Sequence, residues 1–570
     1  MSAPSEPGLE RRQFALLARD SVQQLLSSAT MARDTDPAQF ALWATALALT
    51  PPFLVAVRKI IDYPFLLRAA PAYVERVILA DRLFFILYVM LATALVTALL
   101  WDALSPTRHD HEVVGVLPVR PRTLAAARLA AAMSVGLGFG LAINLPSGLL
   151  YSAASAVHPM VGGFPRVVIA HLGSTMLACA FVFCSLLTLR ALLTSIVGDA
   201  IAGRLAVLLQ IATFVLLVQV FFFLPGLLPE LMKDVQAGGR SYAELPPMWF
   251  AALFMQLAEG QAMAPGLAAR AVGATALSIV TAIVLTLVPA RLMRRRSLER
   301  RADTSTGPVQ VAGRALVARV VRGAEVRALY LFALASLVRS RRHAVQLGTY
   351  AGLAVAAALA GLAAQSVRGS LDLTRPQPSL LALPLVAMFF GLLGLRSACA
   401  IPVDVDANWP LRLHHPTVRS TVTATRLLLL SLGVLPPILL ASAAYAWLWS
   451  AQDAGVIAVW NVTAGCLLAE LLLASWHKVP FATTHEPDVD SLRTRWPWFV
   501  VALAVYGFQL AVVQVWALGS ITRAAGLEAT GLVCLAVLVI RNRRRRRGAA
   551  VTFDETVETF ETLRLSPALD

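Results

Sequence analysis

The chain has 570 residues, 58% hydrophobic and only 14% charged, with a formal net charge of +16; soluble domains carry roughly 25% charged residues. An ordinary soluble enzyme is therefore excluded, and twelve spans of about 20 residues would use roughly 240 residues, leaving the rest for loops and tails. The only lysines are Lys59, Lys233 and Lys478, and the arginines that dominate the charge lie beside apolar runs, so anionic headgroups and the positive-inside rule account for them better than nucleic acid does.

In chain order, a leader over 1–37 comes first, with Leu9, Phe14, Leu17, Leu25 and Leu26 set among charges at helical spacing. It reads as an amphipathic helix on the cytoplasmic surface, and no cleavable signal peptide is visible. Apolar windows place spans near 38–57, 83–104, 124–145, 167–189, 204–228 and 271–290, a first half over 38–290. A basic cytoplasmic linker over 291–345 follows, with thirteen arginines against Glu299, Asp303 and Glu325. It contains a second surface helix, Val326, Leu329, Leu331, Phe332 and Leu337 forming its apolar side; the run is too short to span.

The second half, 346–540, has spans near 346–365, 379–397, 425–449, 454–475, 497–518 and 524–540. The tail, 541–570, begins with Arg541 and with Arg543, Arg544, Arg545, Arg546 and Arg547, a lipid-headgroup anchor, and ends in an acidic stretch that is disordered or forms a small docking helix. The fold expected is an all-α polytopic membrane protein of about twelve transmembrane helices, arranged 6+6, with both termini cytoplasmic. Residues 58–82 disagree with this layout. They should be an external loop, yet carry Arg58, Lys59, Arg68, Arg76 and Arg82, so either the first span is misplaced or the segment folds back at the interface.

Prolines fall inside spans at Pro51-Pro52, Pro146 and Pro436-Pro437, where kinks are expected. The polar residues falling mid-span are Asn144, Gln210, Gln219, Asn461, Gln509 and Gln514. Interhelical hydrogen bonds account for most such residues; Asn144 and Gln219 are the candidates for lining a translocation path. Charges inside spans are few, Glu470 among them, so proton coupling has little support. The five cysteines, Cys179, Cys184, Cys399, Cys466 and Cys534, read as small buried hydrophobes.

The loop after the second span combines Asp110, Glu112, an apolar Val113–Leu117 run, Pro118, Arg120 and Arg122. A short helix there would show an apolar face with an acidic flank, suited to a groove on another protein; a solvated loop obeying topology is the plainer alternative. The corresponding loop of the second half carries Asp404, Asp406 and Arg412, and both loops enter the next helix through related text, Arg122 to Leu129 and Arg419 to Leu427.

The run from Asp110 through Leu117-Pro118 to Leu124 resembles the coupling-helix loop of type-two ATP-binding-cassette (ABC) exporter permeases. A surface helix before the first span and a long external loop over 229–270 fit the same plan. The second half departs from it, lacking the Leu-Pro in 398–424 and having a very short external loop at 519–523. The resemblance implies a membrane subunit driven by a cytoplasmic ABC ATPase, which would dock at Asp110, Glu112, Leu117, Pro118, Arg120 and Arg122 and at Asp404, Asp406 and Arg412. No lysine follows a glycine, so this chain has no phosphate-binding Gly-x-x-x-x-Gly-Lys loop, and ATP hydrolysis is expected on the partner.

No catalytic residue, cofactor or metal site is expected. His109, His111, His414, His415, His477 and His485 lack the spacing that puts two ligands on one helical face. The chain is expected to act alone or as a homodimer in a bacterial cytoplasmic membrane. Two other readings stay open: a secondary transporter of major facilitator type, which shares the 6+6 layout but whose second-loop pattern is missing, and a non-transporting membrane scaffold or processing protein.

Overall fold

A computed structural model of the protein describes residues 6–29, 37–100, 119–196, 205–220 apart from three positions, 244–260, 266–287, 321–367 apart from 322, 371–402, 409–482 apart from 475 and 477, 492–547 and 551. The protein is an all-α polytopic membrane protein. Ten helices among the described residues are long and apolar enough to cross a membrane.

The leader forms α1, Glu6–Ala29. It is followed by α2, Pro37–Leu66, α3, Pro71–Leu99, α4, Pro121–Ser155, and α5, Phe164–Ile196. Helical residues 207–213 and 215–217 precede α6, Pro246–Glu259, and α7, Leu267–Leu287. The second surface helix is α8, Ala324–Arg339, ahead of α9, Arg341–Val367, α10, Pro378–Cys399, and the short α11, Trp409–His414. The remaining elements are α12, Val418–Leu448, α13, Ala451–Leu472, α14, Leu492–Leu503 continuing through Ala504–Gln509 to Leu510–Leu518, and α15, Ile521–Arg545.

Helix starts follow local chemistry. Pro71, Pro121 and Pro246 take first-turn positions in α3, α4 and α6, where a missing N–H costs nothing. Thr417 and Ser450 cap α12 and α13 by accepting from Ser420 N and Asp453 N. The prolines inside helices do not end them. Pro52 leaves the carbonyl of Ala48 without its helical donor, and Tyr88 of α3 supplies one, its hydroxyl donating to Ala48 O at 2.7 Å. Before Pro436-Pro437 the backbone widens into a π-turn over Leu430–Val434, and a second π-turn interrupts α14 at Ala504–Gln509; such turns absorb local misfit without breaking the helix.

The chain divides into two compact units. The first comprises 1–306, 344–390 and 503–512, the second 307–343, 391–502 and 513–570. In the first, α4, α5 and α7 pack side by side, and α1 lies against one end of them. Leu25 and Val22 of α1 meet Ala131 and Ala132 of α4, Phe183 and Leu187 of α5 and Ala282 of α7. At the other end Tyr63, Val74, Ile78, Phe85, Tyr151, Val167 and Phe254 form a core drawn from α2 to α6. In the second unit α8 buries Leu329, Tyr330, Ala333 and Leu337 on one face and packs on α12, while α12, α13 and α15 form a bundle.

Of the two alternatives left open for residues 58–82, the misplaced first span holds. Residues 58–82 are not a loop: α2 continues to Leu66, α3 begins at Pro71, and only 67–70 connect them. Of the charges that interrupt the hydropathy window, Lys59 and Arg82 are paired across helices, Arg58 pairs with Asp62 within α2, Arg76 donates to Ala72 O of its own helix, and Arg68 lies in the connection. Cys179, Cys184 and Cys399 are buried and Cys466 half-buried, but Cys534 is exposed on α15 rather than buried.

Candidate functional site

Two arrangements in the described residues can do more than hold helices together. The first is at the roots of the two loops expected to meet a partner. Arg120, the residue before α4, reaches Glu10 of α1 with its Nη1 2.5 Å from a carboxylate oxygen. In the second unit Glu325 of α8 accepts from Thr417 N at 2.8 Å and from Ser420 Oγ at 2.7 Å, at the first turn of α12. A carboxylate from the surface helix thus holds the foot of the helix that follows the loop in both units. The second loop is anchored on its other side as well. His343, fully buried, bonds Ser340 Oγ and, through Nε2 at 3.0 Å, Ile401 O, while Phe481 N donates to Cys399 O at 3.0 Å.

The second arrangement is a buried polar network in the first unit, at the end of the helices away from α1. Lys59 of α2 places Nζ 2.7 Å from Asp81 Oδ1 of α3, and the other carboxylate oxygen accepts from Tyr63 OH at 3.2 Å. Tyr63 and Tyr151 of α4 bring their hydroxyls to 3.3 Å. The next residue on α3, Arg82, turns to α6, forms an ion pair with Glu259 and lies 4.5 Å over the Phe254 ring. Arg82 is only 1% exposed. Adjacent residues of a helix point about 100° apart, so Asp81 and Arg82 tie α3 to two different neighbours. Glu259 ends α6, and Gly260 at φ 74° supplies the left-handed turn that stops the helix there.

His171 of α5 completes the network. It is buried among Phe85, Tyr151 and Phe254, with ring centroids 5.3, 5.7 and 6.1 Å away. Neither ring nitrogen has a hydrogen-bond partner among the described residues. A Cβ on Gly148 of α4 would come 2.5 Å from the His171 ring, so a side chain there would force the imidazole or the helix to shift. Two neutralised ion pairs, two facing phenols and an uncommitted imidazole between helices are the kind of polar set that marks substrate or ion pathways in membrane proteins, because unpaired charge there is too costly to keep.

Of the loop residues singled out from sequence, Asp110, Glu112, Leu117, Pro118, Asp404 and Asp406 lie outside the described residues. Arg120 holds Glu10, Arg122 is exposed in the first turn of α4, and Arg412 lies on α11. Asn144 is buried and donates to Gly140 O of its own helix at 2.7 Å. Gln219 donates to Ala356 O of α9 at 3.1 Å, and Gln210 to Thr349 Oγ1 at 3.1 Å. Gln514 and Asn461 pair at 3.0 Å between α14 and α13, as interhelical bonding predicts. Arg543, Arg544, Arg545 and Arg547 are exposed at the end of α15, and Arg546 is half-buried.

Sequence reasoning missed Lys59, Tyr63, Asp81, Arg82, Tyr151, His171 and Glu259. The signal available was the disagreement of 58–82 with the charge rule. Among the described residues no three His, Cys, Asp or Glu side chains come together to hold a metal; His414 and His415 are exposed, and His109, His111, His477 and His485 lie outside the described residues. Compared with protein-family models, with curated proteins and with solved structures, the chain finds no match.

Proposed function

We propose that this chain is the membrane-spanning permease subunit of an ATP-driven exporter of a bacterial cytoplasmic membrane, energised by an ATPase on a separate chain. The observation that carries the reading is the repeated clamp, Glu10 on Arg120 and Glu325 on the first turn of α12. A loop that receives force from a cytoplasmic motor must pass it to a helix, and a surface helix fastened where the loop enters that helix makes the three move as one piece. The clamp occurs twice, at equivalent positions, beside the two loops that resemble or parallel an exporter coupling helix. In this reading the ATPase docks on 105–123 and 398–424 with both termini on its side of the membrane, and the network around Asp81 and Arg82 belongs to the path or to its outer closure.

The test is purification from the native membrane in mild detergent, with mass spectrometry of the co-purifying chains. The expected result is a stoichiometric ATPase carrying a phosphate-binding loop, lost when Glu112→Ala and Arg120→Ala are combined. Repeated recovery without an ATPase overturns the reading. The buried network then favours the runner-up, an ion-coupled secondary transporter, since paired charges within helices are what ion coupling uses. Flux that follows an ion gradient in vesicles without ATP would establish that alternative.

A further inference from the structure

Arg82 and Glu259 neutralise one another, but they are held unequally. Arg82 lies inside α3 with its side chain 1% exposed, whereas Glu259 is the last residue of α6, beside the left-handed turn at Gly260, and keeps 13%. The carboxylate can turn out to water, and the guanidinium cannot follow it. A charge left buried without its counter-ion is costly, so Glu259 leaves Arg82 only when another anion takes its place. The neighbouring carboxylate, Asp81, is already held by Lys59 and Tyr63. The substitute has to come from outside the network.

The surroundings of Arg82 offer more hydrogen-bonding groups than Glu259 uses. Arg82 Nε, both ring nitrogens of His171 and Ser152 Oγ are buried without a hydrogen-bond partner among the described residues, where buried polar groups are ordinarily paired. They share the same aromatic walls. Arg82 and His171 both lie against Phe254 and both face Tyr151, and Ser152 is one turn beyond Gly148, the residue packed against the His171 ring. A guanidinium, an imidazole and a hydroxyl suit an oxyanion, and the guanidinium fork meets two oxygens of a carboxylate or phosphate at once. The rings of Phe85, Tyr151 and Phe254 around them favour a ligand whose remainder is apolar.

We propose that Arg82, His171 and Ser152 form the binding site for the anionic headgroup, carboxylate or phosphate, of an amphiphilic substrate, which replaces Glu259 on Arg82. Arg82 recognises the charge, His171 and Ser152 supply hydrogen bonds that Glu259 leaves unused, and Glu259 is the resident anion that keeps the site neutral between substrates. The inference rests on the permease reading, for it names the class of molecule that the path carries. It also accounts for an imidazole kept without partners between helices, since its partner is the cargo.

Binding of radiolabelled laurate and of dodecyl phosphate to the full chain in dodecyl maltoside, each challenged with unlabelled dodecanol, tests this. Both anions should bind and resist dodecanol, and the tighter of the two tells a fatty carboxylate from a phosphate ester. Glu259→Gln, which removes the resident anion, should tighten binding at least about ten-fold, because no competing state has to be displaced. Arg82→Gln combined with Glu259→Gln keeps the pair uncharged and should abolish binding. His171→Phe should weaken it about five-fold, the scale of one hydrogen bond, and gel filtration of each variant separates loss of the site from loss of the fold. Arg166→Ala frees α6 at Leu257 O without touching Arg82; tightening equal to that of Glu259→Gln would mean that a loosened helix admits the probe, and would overturn the site. Equal binding of dodecanol, or unchanged binding in the doubly neutral variant, overturns it too. Recovery of the ATPase without anion binding removes this inference alone, whereas anion binding by a chain that never recovers an ATPase upholds the site and overturns only the exporter reading.

Discussion

In the first unit buried charge is neutralised pair by pair between helices, Lys59 with Asp81 and Arg82 with Glu259. In the second, a single carboxylate, Glu470, sits at a helix end among three arginines and an asparagine. Both units clamp their surface helix to the foot of the helix that follows the loop, yet among the described residues the first alone places two balanced ion pairs, two facing phenols and an imidazole within its helix packing. The difference separates roles that a shared layout would merge. The first unit closes its charges off in pairs between helices, and the second gathers them at a helix end.

The sharpest way to break that contrast is to strand a charge. Arg82→Ala leaves Glu259 without its partner beside the Phe254 ring, and it should cost about 3–5 kcal/mol, the scale for breaking a buried pair, read as a lowered unfolding temperature in detergent. Replacing both members by apolar residues, Arg82→Met with Glu259→Leu, should return most of that stability while transport stays lost. Transport surviving in the double variant would remove the network from the path.

Glu470→Ala makes the parallel cut in the second unit. Arg426 is 28% exposed and water can take it back, so the cost should be about 1.5–3 kcal/mol, as for a hydrogen bond to a charged group. A loss as large as that of Arg82→Ala would show that the two networks are equally closed to solvent, and the contrast would fail.

Packing around the imidazole gives a third comparison. Gly148→Ala drives a methyl group into the His171 ring and should destabilise by about 1–3 kcal/mol through overpacking. Gly138→Ala, ten residues earlier on the same helix with nothing within 4 Å of its Cβ, should instead stabilise α4 by about 0.5–1 kcal/mol. Equal effects at the two positions would mean that the His171 ring yields easily and is not held by Gly148.

The smallest stability change belongs to the clamp. Arg120 and Glu10 are 75% and 45% exposed, so Arg120→Ala should alter unfolding by no more than about 1 kcal/mol. Under the proposed function the same variant should lower the amount of ATPase recovered. A full complement of ATPase would confine the clamp to a structural role.

Much of this was legible in the chain. The first surface helix, α1, shows as apolar residues set among charges at helical spacing and α8 as an apolar run too brief to span, and long apolar runs announce most of the other helices, although α6 falls in a stretch read as an external loop. The network was not legible, because a hydropathy window averages neighbours along the chain, and Lys59, Asp81, Arg82 and Glu259 look there like four reasons to draw a loop.

What the amino-acid sequence determined by itself is the class of solvent and the class of element. Long apolar runs need lipid, and in lipid every backbone group must be satisfied within its own helix. What only the tertiary structure decided is which charges those helices can carry. The cost of a buried charge depends on the group opposite it, and Arg82 meets its carboxylate 177 residues away. Likewise Pro52 is tolerated in α2 because Tyr88, from the next helix, donates to the carbonyl the proline leaves bare.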